Sequence, residues 1–374
     1  MKGAMNVLVT GGAGFIGSHT VDLLTSKGHN VKIFDSLEEP VHSKNIKPTY
    51  IKKNLEFITG NIQDRTKLEN ALSGIDVVFH LAAYQDYLPK FSKFAYTNEG
   101  GTALLYEIIV DKRLPIKKVV LASSQAVYGE GKYECHEHGL QYPGPRDLSS
   151  LSEGQWNIQC SICNNPLRHL YTDEKRVNPH NQYAVSKYAQ ELYALILGKR
   201  FDIPTVAMRY TICQGPRQSF RNTYSGILRV FLVCLLNNLP LPIFEDGHQL
   251  RDYVYVKDVA KANLLVMEND ASNYEVFNVG SGNPTSVIEY ANILIKLSGK
   301  DVKSSVTGQF RLGDTRHIVS DISKLTNLGW TTSTGVEDIA REYLEWLYGQ
   351  DEVNDTFTKT MQEMKRAGVI REIK

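Results

Sequence analysis

Apolar and polar positions alternate along this chain in blocks of two kinds. Asn6 to Thr10, Val31 to Phe34, Glu56 to Ile58, Val77 to His80, Lys118 to Ser123 and Thr205 to Arg209 are short apolar runs of strand length. Between most of them lie longer stretches with helical spacing: Phe15 to Lys27, closed by Gly28, then Thr102 to Lys112 and Tyr183 to Leu197. Strands that alternate with helices predict a parallel sheet covered on both faces, with ligands at the carboxyl ends of the strands. The run Val119-Val120-Leu121-Ala122 ends in "SSQAVYG", residues 123 to 129, at such a strand end. Taken alone, serines there are most often a plain turn.

The chain of 374 residues is long enough for two domains, and its 42 basic and 41 acidic residues nearly cancel, which argues against a nucleic-acid binder. Five cysteines make no disulfide framework and point to a reducing cytoplasm. The longest apolar run, Ile227 to Leu236, is shorter than the about 20 residues that span a bilayer, and Arg229 interrupts it, so no membrane partner is expected. "MKGAM" reads as a tag remnant ahead of a start at Met5.

Three motifs carry chemistry. "TGGAGFIG" places Gly11, Gly14 and Gly17 between the first strand and helix, where glycines let the backbone turn and approach a pyrophosphate. Asp35 ends the next strand 18 residues past Gly17 and suits a ribose diol, favouring NAD over NADP. "YAVSK" puts Tyr183 and Lys187 on one helical face, where a nearby ammonium favours the phenolate. The third motif lies in a long excursion, since 59 positions separate Ser124 from Tyr183. It holds two paired-ligand turns, Cys135-x-x-His138 and Cys160-x-x-Cys163, which together fit one structural zinc; His136 and His169 are spare ligands. A redox Cys-x-x-Cys is the other reading, but it belongs at the start of a helix in a thioredoxin-like unit.

The ordered set "TGGAGFIG", "HLAA", "SSQAVYG", "YAVSK", "RDYVYVKDVA", "FNVGSG" and "RLGDTRH" resembles the extended short-chain dehydrogenases/reductases, the nucleotide-sugar epimerases and dehydratases, from about Asn6 to Trp346. It looks most like the dTDP-L-rhamnose 4-epimerase group. The resemblance implies an α/β, Rossmann-type doubly wound parallel sheet with a smaller, discontinuous α/β substrate-binding domain. It implies an NAD-binding domain at 5–210 with an inserted loop at about 131–178. A substrate domain follows at 211–350, with 252–282 returning to the first; 351–374 is expected to be a helical tail.

By position in the motifs, Ser124, Tyr183 and Lys187 are then the catalytic set. Phe15, Ile16, Asn61, Ile62, Leu81, Ala82, Ala83, Gln85 and Thr97 join the glycines and Asp35 as NAD contacts. Arg251 and Arg311 match arginines that grip a diphosphate; Asn222, Phe244 and Asp314 match neighbouring substrate contacts. Where the family usually reads Arg-Tyr-Phe-Asn-x-Tyr-Gly-Pro, this chain has "RYTICQGPR", so Ile212 replaces an asparagine and Gln214 or Arg217 is expected to compensate. No carboxylate follows Ser124 in "SSQAVYG", which demotes dehydration. The expectation is therefore an NAD-dependent nucleotide-sugar 4-epimerase, a homodimer through the two helices. Leu104, Leu105, Ile108, Ile109, Leu192, Leu195 and Ile196 exceed what one buried stripe needs. The alternatives are a nucleotide-sugar 4-ketoreductase or dehydrogenase with net redox, and a non-catalytic NAD-binding regulator.

Overall fold

A computed structural model describes residues 3–43, 45–86, 88–219, 226–350, 362 and 364–373. The apolar runs become strands β1 (Asn6–Thr10), β2 (Asn30–Asp35), β3 (Glu56–Thr59), β4 (Val77–His80) and β5 (Lys118–Ser124), followed by Thr205–Tyr210 and Val276–Val279. They form one seven-stranded parallel sheet, with β4 at its centre, β1 between β4 and β2, β3 on one edge and Val276–Val279 on the other. This is the Rossmann-type arrangement. The strand order reverses between β1 and β4, and a crevice opens there at the carboxyl ends.

Two apolar layers hold the sheet. Val7, Val9, Phe79 and Val120 face one; Leu8, Val78, Val119 and Leu121 face the other. Continuous β-branched and leucine runs are what a strand covered on both faces requires. Helix α1 (Phe15–Ser26) and the helix Gln182–Arg200 flank the crevice.

A smaller lobe carries its own core around Leu228, Phe231, Tyr253, Tyr290 and Tyr343. Its sheet joins Ile212–Gln214, Leu250–Tyr255 and Pro284–Ser286. The inserted segment adds a three-stranded sheet of Gly139–Gln141, Tyr133–Cys135 and Arg168–His169.

The structure departs from the sequence reading in two places. The tail expected to be helical lies largely outside the described residues; 364–366 are helical as expected, but its end, Ile370–Glu372, is a strand paired antiparallel with Gln309–Arg311. Leu105, Ile108 and Ile109, expected at a subunit interface, are buried in the core against the sheet. Leu192 and Ile196 do stand in solvent, 42% and 59% exposed, beside Val185 at 52%. No helix among the described residues is long and apolar enough to cross a membrane.

Candidate active site

One cleft of about 520 Å³ runs from the first glycine turn, past the end of β5, to the smaller lobe. Gly11, Phe15, Ile16 and Gly17 line one end; Ser124, Tyr183 and Lys187 the middle; Phe244, Arg251, Arg311 and Asp314 the other. These sequence-predicted residues thus meet around a single space, although the smaller-lobe set lies 57 or more residues beyond Lys187.

The glycine end has the features a dinucleotide needs. Gly11 has φ +67°, and a Cβ on it would stand 2.8 Å from the backbone nitrogen of Ala82. A Cβ on Gly17 would stand 2.1 Å from the Gly11 carbonyl, so helix and turn pack only with glycine there. Gly14 caps α1 with no side-chain bond, which leaves the first N–H groups of the helix for an anion. Asp35 accepts from Ala13 N at 3.0 Å and Leu37 N at 2.9 Å, one bond per oxygen. Oδ2 retains a lone pair for a ribose hydroxyl, while Oδ1 also faces the buried His42 Nε2 at 3.6 Å. Residues and cofactor therefore fit.

Of the other expected NAD contacts, Asn61, Ile62, Ala82 and Thr97 are not among the residues lining this cleft. Ile62 is a buried core residue against which Gly101 packs. Asn61 uses its carbonyl on Gln63 N, at 3.0 Å, and its amide on Glu38, at 2.9 Å. Thr97 sits in a π-helical turn, Ala95–Gly100, and accepts from Gln63 at 3.3 Å. Leu81, Ala83 and Gln85 line the cleft, whereas Ala82 presents its backbone to Gly11 and donates to Thr10 Oγ1 at 3.3 Å.

The helix that carries Tyr183 and Lys187 starts at Gln182 because the Asn181 side chain accepts from Ala184 N, 2.9 Å away. That cap sets the direction in which Tyr183 leaves the first turn. Burial raises the Tyr183 phenol to about 12, while a hydrogen bond with Ser124 pulls it back. Burial pushes Lys187 down to about 7, with Glu191 opposing. A relay of buried bonds fixes this ammonium. Lys187 Nζ donates to Gln190 at 2.6 Å, Gln190 donates to Thr102 at 2.8 Å, and the His80 ring bridges Thr102 (3.0 Å) and Thr10 (2.9 Å).

Behind Ser124, the buried Arg209–Glu191 pair at 2.7 Å and the Ser123 hydroxyl on Glu191 brace the end of β5. Gln125 lines the cleft with its Oε1 buried and without a hydrogen-bond partner among the described residues. Asp314 is the one carboxylate among the described lining residues, and it pairs with Arg311 at 3.0 Å.

In the smaller lobe Arg251 donates to the carbonyls of Leu250, Arg316 and Thr315 at 2.8–3.0 Å, which fixes its guanidinium on the cleft wall. Arg311 lies over the Phe244 ring, 5.4 Å from its centroid. Arg217 does not join them. It pairs with Asp22 of α1 at 2.8 Å and covers Tyr50. Gln214 is fully buried and accepts from Tyr290, so neither residue takes the place of the asparagine that Ile212 replaces; Ile212 itself lines the cleft. Asn222 lies outside the described residues.

The sequence reading missed Asn98 and Asn181. Asn98 is fully buried, accepts from Tyr84 N at 2.7 Å and donates to Ser186 at 2.8 Å, tying the β4 loop to the helix that carries Tyr183. Asn181 carried a legible signal, an N-cap residue just before the helical pattern; Asn98 carried none.

Away from the cleft, Cys135, His138, Cys160 and Cys163 bring four ligand atoms within 4.8 Å of one another. His136 is outside this cluster, and His169 instead packs edge-on to Tyr133 at 5.5 Å.

Comparison with known proteins agrees with this geometry. The model of the NAD dependent epimerase/dehydratase family matches residues 7–147 and 161–280. The dTDP-L-rhamnose 4-epimerase of Burkholderia thailandensis is 30% identical over 91% of this chain and 94% of its own. Among solved structures, UDP-glucose 4-epimerase of Thermotoga maritima with UDP-glucose matches with TM-score 0.75 and 29% identity, over 92% of this chain and 99% of that one. UDP-glucuronic acid 4-epimerase of Bacillus cereus with NAD matches with TM-score 0.73 and 26% identity, over 92% and 99%.

Proposed function

The chain belongs to the NAD-dependent epimerase/dehydratase family of nucleotide-sugar enzymes, and on that premise we propose that it is a nucleotide-sugar 4-epimerase working through a transient 4-keto sugar. The observation that carries this reading is the cleft itself. Ser124, Tyr183 and Lys187 stand between a dinucleotide-shaped end and two arginines, with no free carboxylate among the described lining residues. Elimination of water needs an acid beside the sugar ring, and the position after Ser124 holds the amide of Gln125.

The diphosphate of the substrate lies on Arg251 and Arg311, whose forks hold charge at every working pH. Ser124 donates to the C4 oxygen and Tyr183 takes its proton. With a phenol near 12, Tyr183 becomes a base only beside positive charge, which Lys187 supplies in its protonated form and the nicotinamide of NAD would add. NAD, held at the glycine turn and Asp35, would supply reversible hydride acceptance at C4, and return to the opposite face of the turned sugar would invert the centre. Tyr183 then gives its proton back, and nothing is consumed.

The test is NMR on a panel of UDP- and dTDP-hexoses with no cofactor added. The reading expects interconversion of C4 epimers; turnover that consumes stoichiometric NAD or NADH, or that releases water from the sugar, would replace it by net redox or dehydration.

Independent of that chemistry, we propose one structural zinc at the Cys135 cluster, outside the reaction path, and a homodimer. The support for the dimer is the exposed stripe Val185, Leu192 and Ile196 on the catalytic helix, which leaves apolar surface for a second copy. Light scattering should give the dimer mass for wild type and the monomer mass for Ile196→Lys; a wild-type monomer at micromolar concentration contradicts it.

A further inference from the structure

The inserted segment brings three thiols and an imidazole to one point. Cys135 Sγ is 3.5 Å from His138 Nδ1 and 3.6 Å from Cys163 Sγ; Cys160 Sγ is 3.6 Å from His138 Nδ1. A tetrahedral ion with Zn–S of about 2.3 Å and Zn–N of about 2.0–2.1 Å sets ligand separations of about 3.8 Å between sulfurs and about 3.5 Å between sulfur and nitrogen. These three edges match, and all four ligand atoms lie within 4.8 Å of one another. They far exceed a disulfide's bonded length of about 2.05 Å.

The Cys160 turn also points its backbone at its sulfur. The Ile162 N–H donates to Cys160 Sγ at 3.5 Å. Gln141 Nε2 donates to Cys160 Sγ at 3.0 Å. Such donors offset the charge of thiolates bound to a metal. Three sulfurs and one nitrogen, with no oxygen ligand, select zinc over calcium or magnesium.

We propose that Cys135, His138, Cys160 and Cys163 bind one zinc ion, and that this zinc locks the strap that backs the substrate-gripping loop 311–317. The strap runs between the two ligand turns and carries Arg146, Trp156 and Asn157. Arg146 pairs with Glu245 at 2.8 Å and Glu130 at 3.2 Å, and donates to the Asp314 carbonyl at 2.8 Å. Asn157 accepts from Arg316 Nε at 3.0 Å, while Arg316 pairs with Asp246 at 2.7 Å. The Trp156 ring meets Phe310 with centroids 5.9 Å apart.

The loop that presents Arg311 and Asp314 to the cleft is thus held from behind by a segment with few apolar residues of its own. Closing both ends of the strap on one ion fixes Arg146, a positioning residue, against Asp314. The effect on substrate rests on the epimerase reading; the metal and the strap do not.

Elemental analysis of protein made without chelator or affinity-tag metal should give about one zinc per chain. The His138 side chain is exposed, so His138→Ala removes a ligand without opening a core. It should retain several-fold less zinc after dialysis against a chelator, and Cys160→Ser with Cys163→Ser should retain almost none. In either depleted form, hydrogen exchange at 311–317 should speed up while bound NAD stays.

Wild-type protein without zinc, protein with iron in its place, or full zinc in the double variant overturns the metal site. Zinc loss with unchanged exchange at 311–317 overturns the locking role. Calorimetry with UDP, dTDP, GDP, CDP and ADP separates this from the functional reading: wild type that carries zinc yet binds none of these nucleotides refutes the epimerase and leaves the zinc intact.

Discussion

Tyr183 and Lys187 stand on a helix packed over a sheet whose central strands are almost wholly apolar. Val77, Val78 and Phe79 of β4, and Val119 to Leu121 of β5, are buried. Arg146 stands on a segment fixed in another way, by paired charges and a sulfur–imidazole cluster. Glu130, Arg146, Glu245 and Arg316 are all nearly excluded from water, and they come from four stretches of chain. Apolar layers place a strand end wherever the sheet places it. Buried ion pairs place a group only if every partner is present, because an unpaired buried charge costs several kcal/mol. The cleft therefore has a robust wall, where the chemistry is proposed, and a conditional one, where the substrate is proposed to be gripped.

Substitutions should separate the two walls. Tyr183→Phe removes the base and leaves the sheet, the strap and the dinucleotide end untouched. Activity should fall roughly a hundredfold or more, with NAD and zinc content unchanged. A near-wild-type rate would remove Tyr183 from the reaction, and a loss of zinc would show that the walls are not independent.

Lys187→Met should act on stability as well as rate. Burial lowers Lys187 from 10.5 to about 7 in the folded protein. Between those values the unfolded chain binds more protons, so folded wild type gains stability as pH rises from about 7 towards 10.5; the burial cost is fully present below about 7. The variant lacks this group. In cofactor-stripped protein its advantage over wild type should be largest near pH 7 and shrink by up to about 1.4 kcal/mol per pH unit above it. Denaturant midpoints measured from pH 7 to 10 check this, and a constant difference would contradict the buried ammonium.

The robust wall was the legible one. Gly11 and Gly17 are written in the sequence because the backbone there tolerates nothing larger, and the strands because both their faces are covered. "YAVSK" showed its geometry through helical spacing alone. The ligand turns were legible too, since two-residue spacing lets a tight turn reach one point.

The rest depended on partners distant in sequence. Arg217 sat in a motif-like stretch, yet Asp22 and Tyr50 draw its guanidinium to α1. Leu105, Ile108 and Ile109 read as surplus apolar surface until the sheet absorbed them. Ile62 likewise went to the core. Arg146 had no local signal, because a buried arginine and a surface one look alike until Glu130 and Glu245 are placed beside it. The terminal strand Ile370–Glu372 was hidden for the same reason, as its partner Gln309–Arg311 lies about 60 residues earlier.

The central claim is reversible chemistry at C4 with nothing consumed. It is tested most directly with a C4-deuterated nucleotide hexose, chosen from those the enzyme turns over, incubated without added cofactor and followed by NMR. The account predicts that the epimer forms with its deuterium still on C4 and none gained from solvent. Deuterium lost to water, or product formed only as added NAD or NADH is spent, would contradict it.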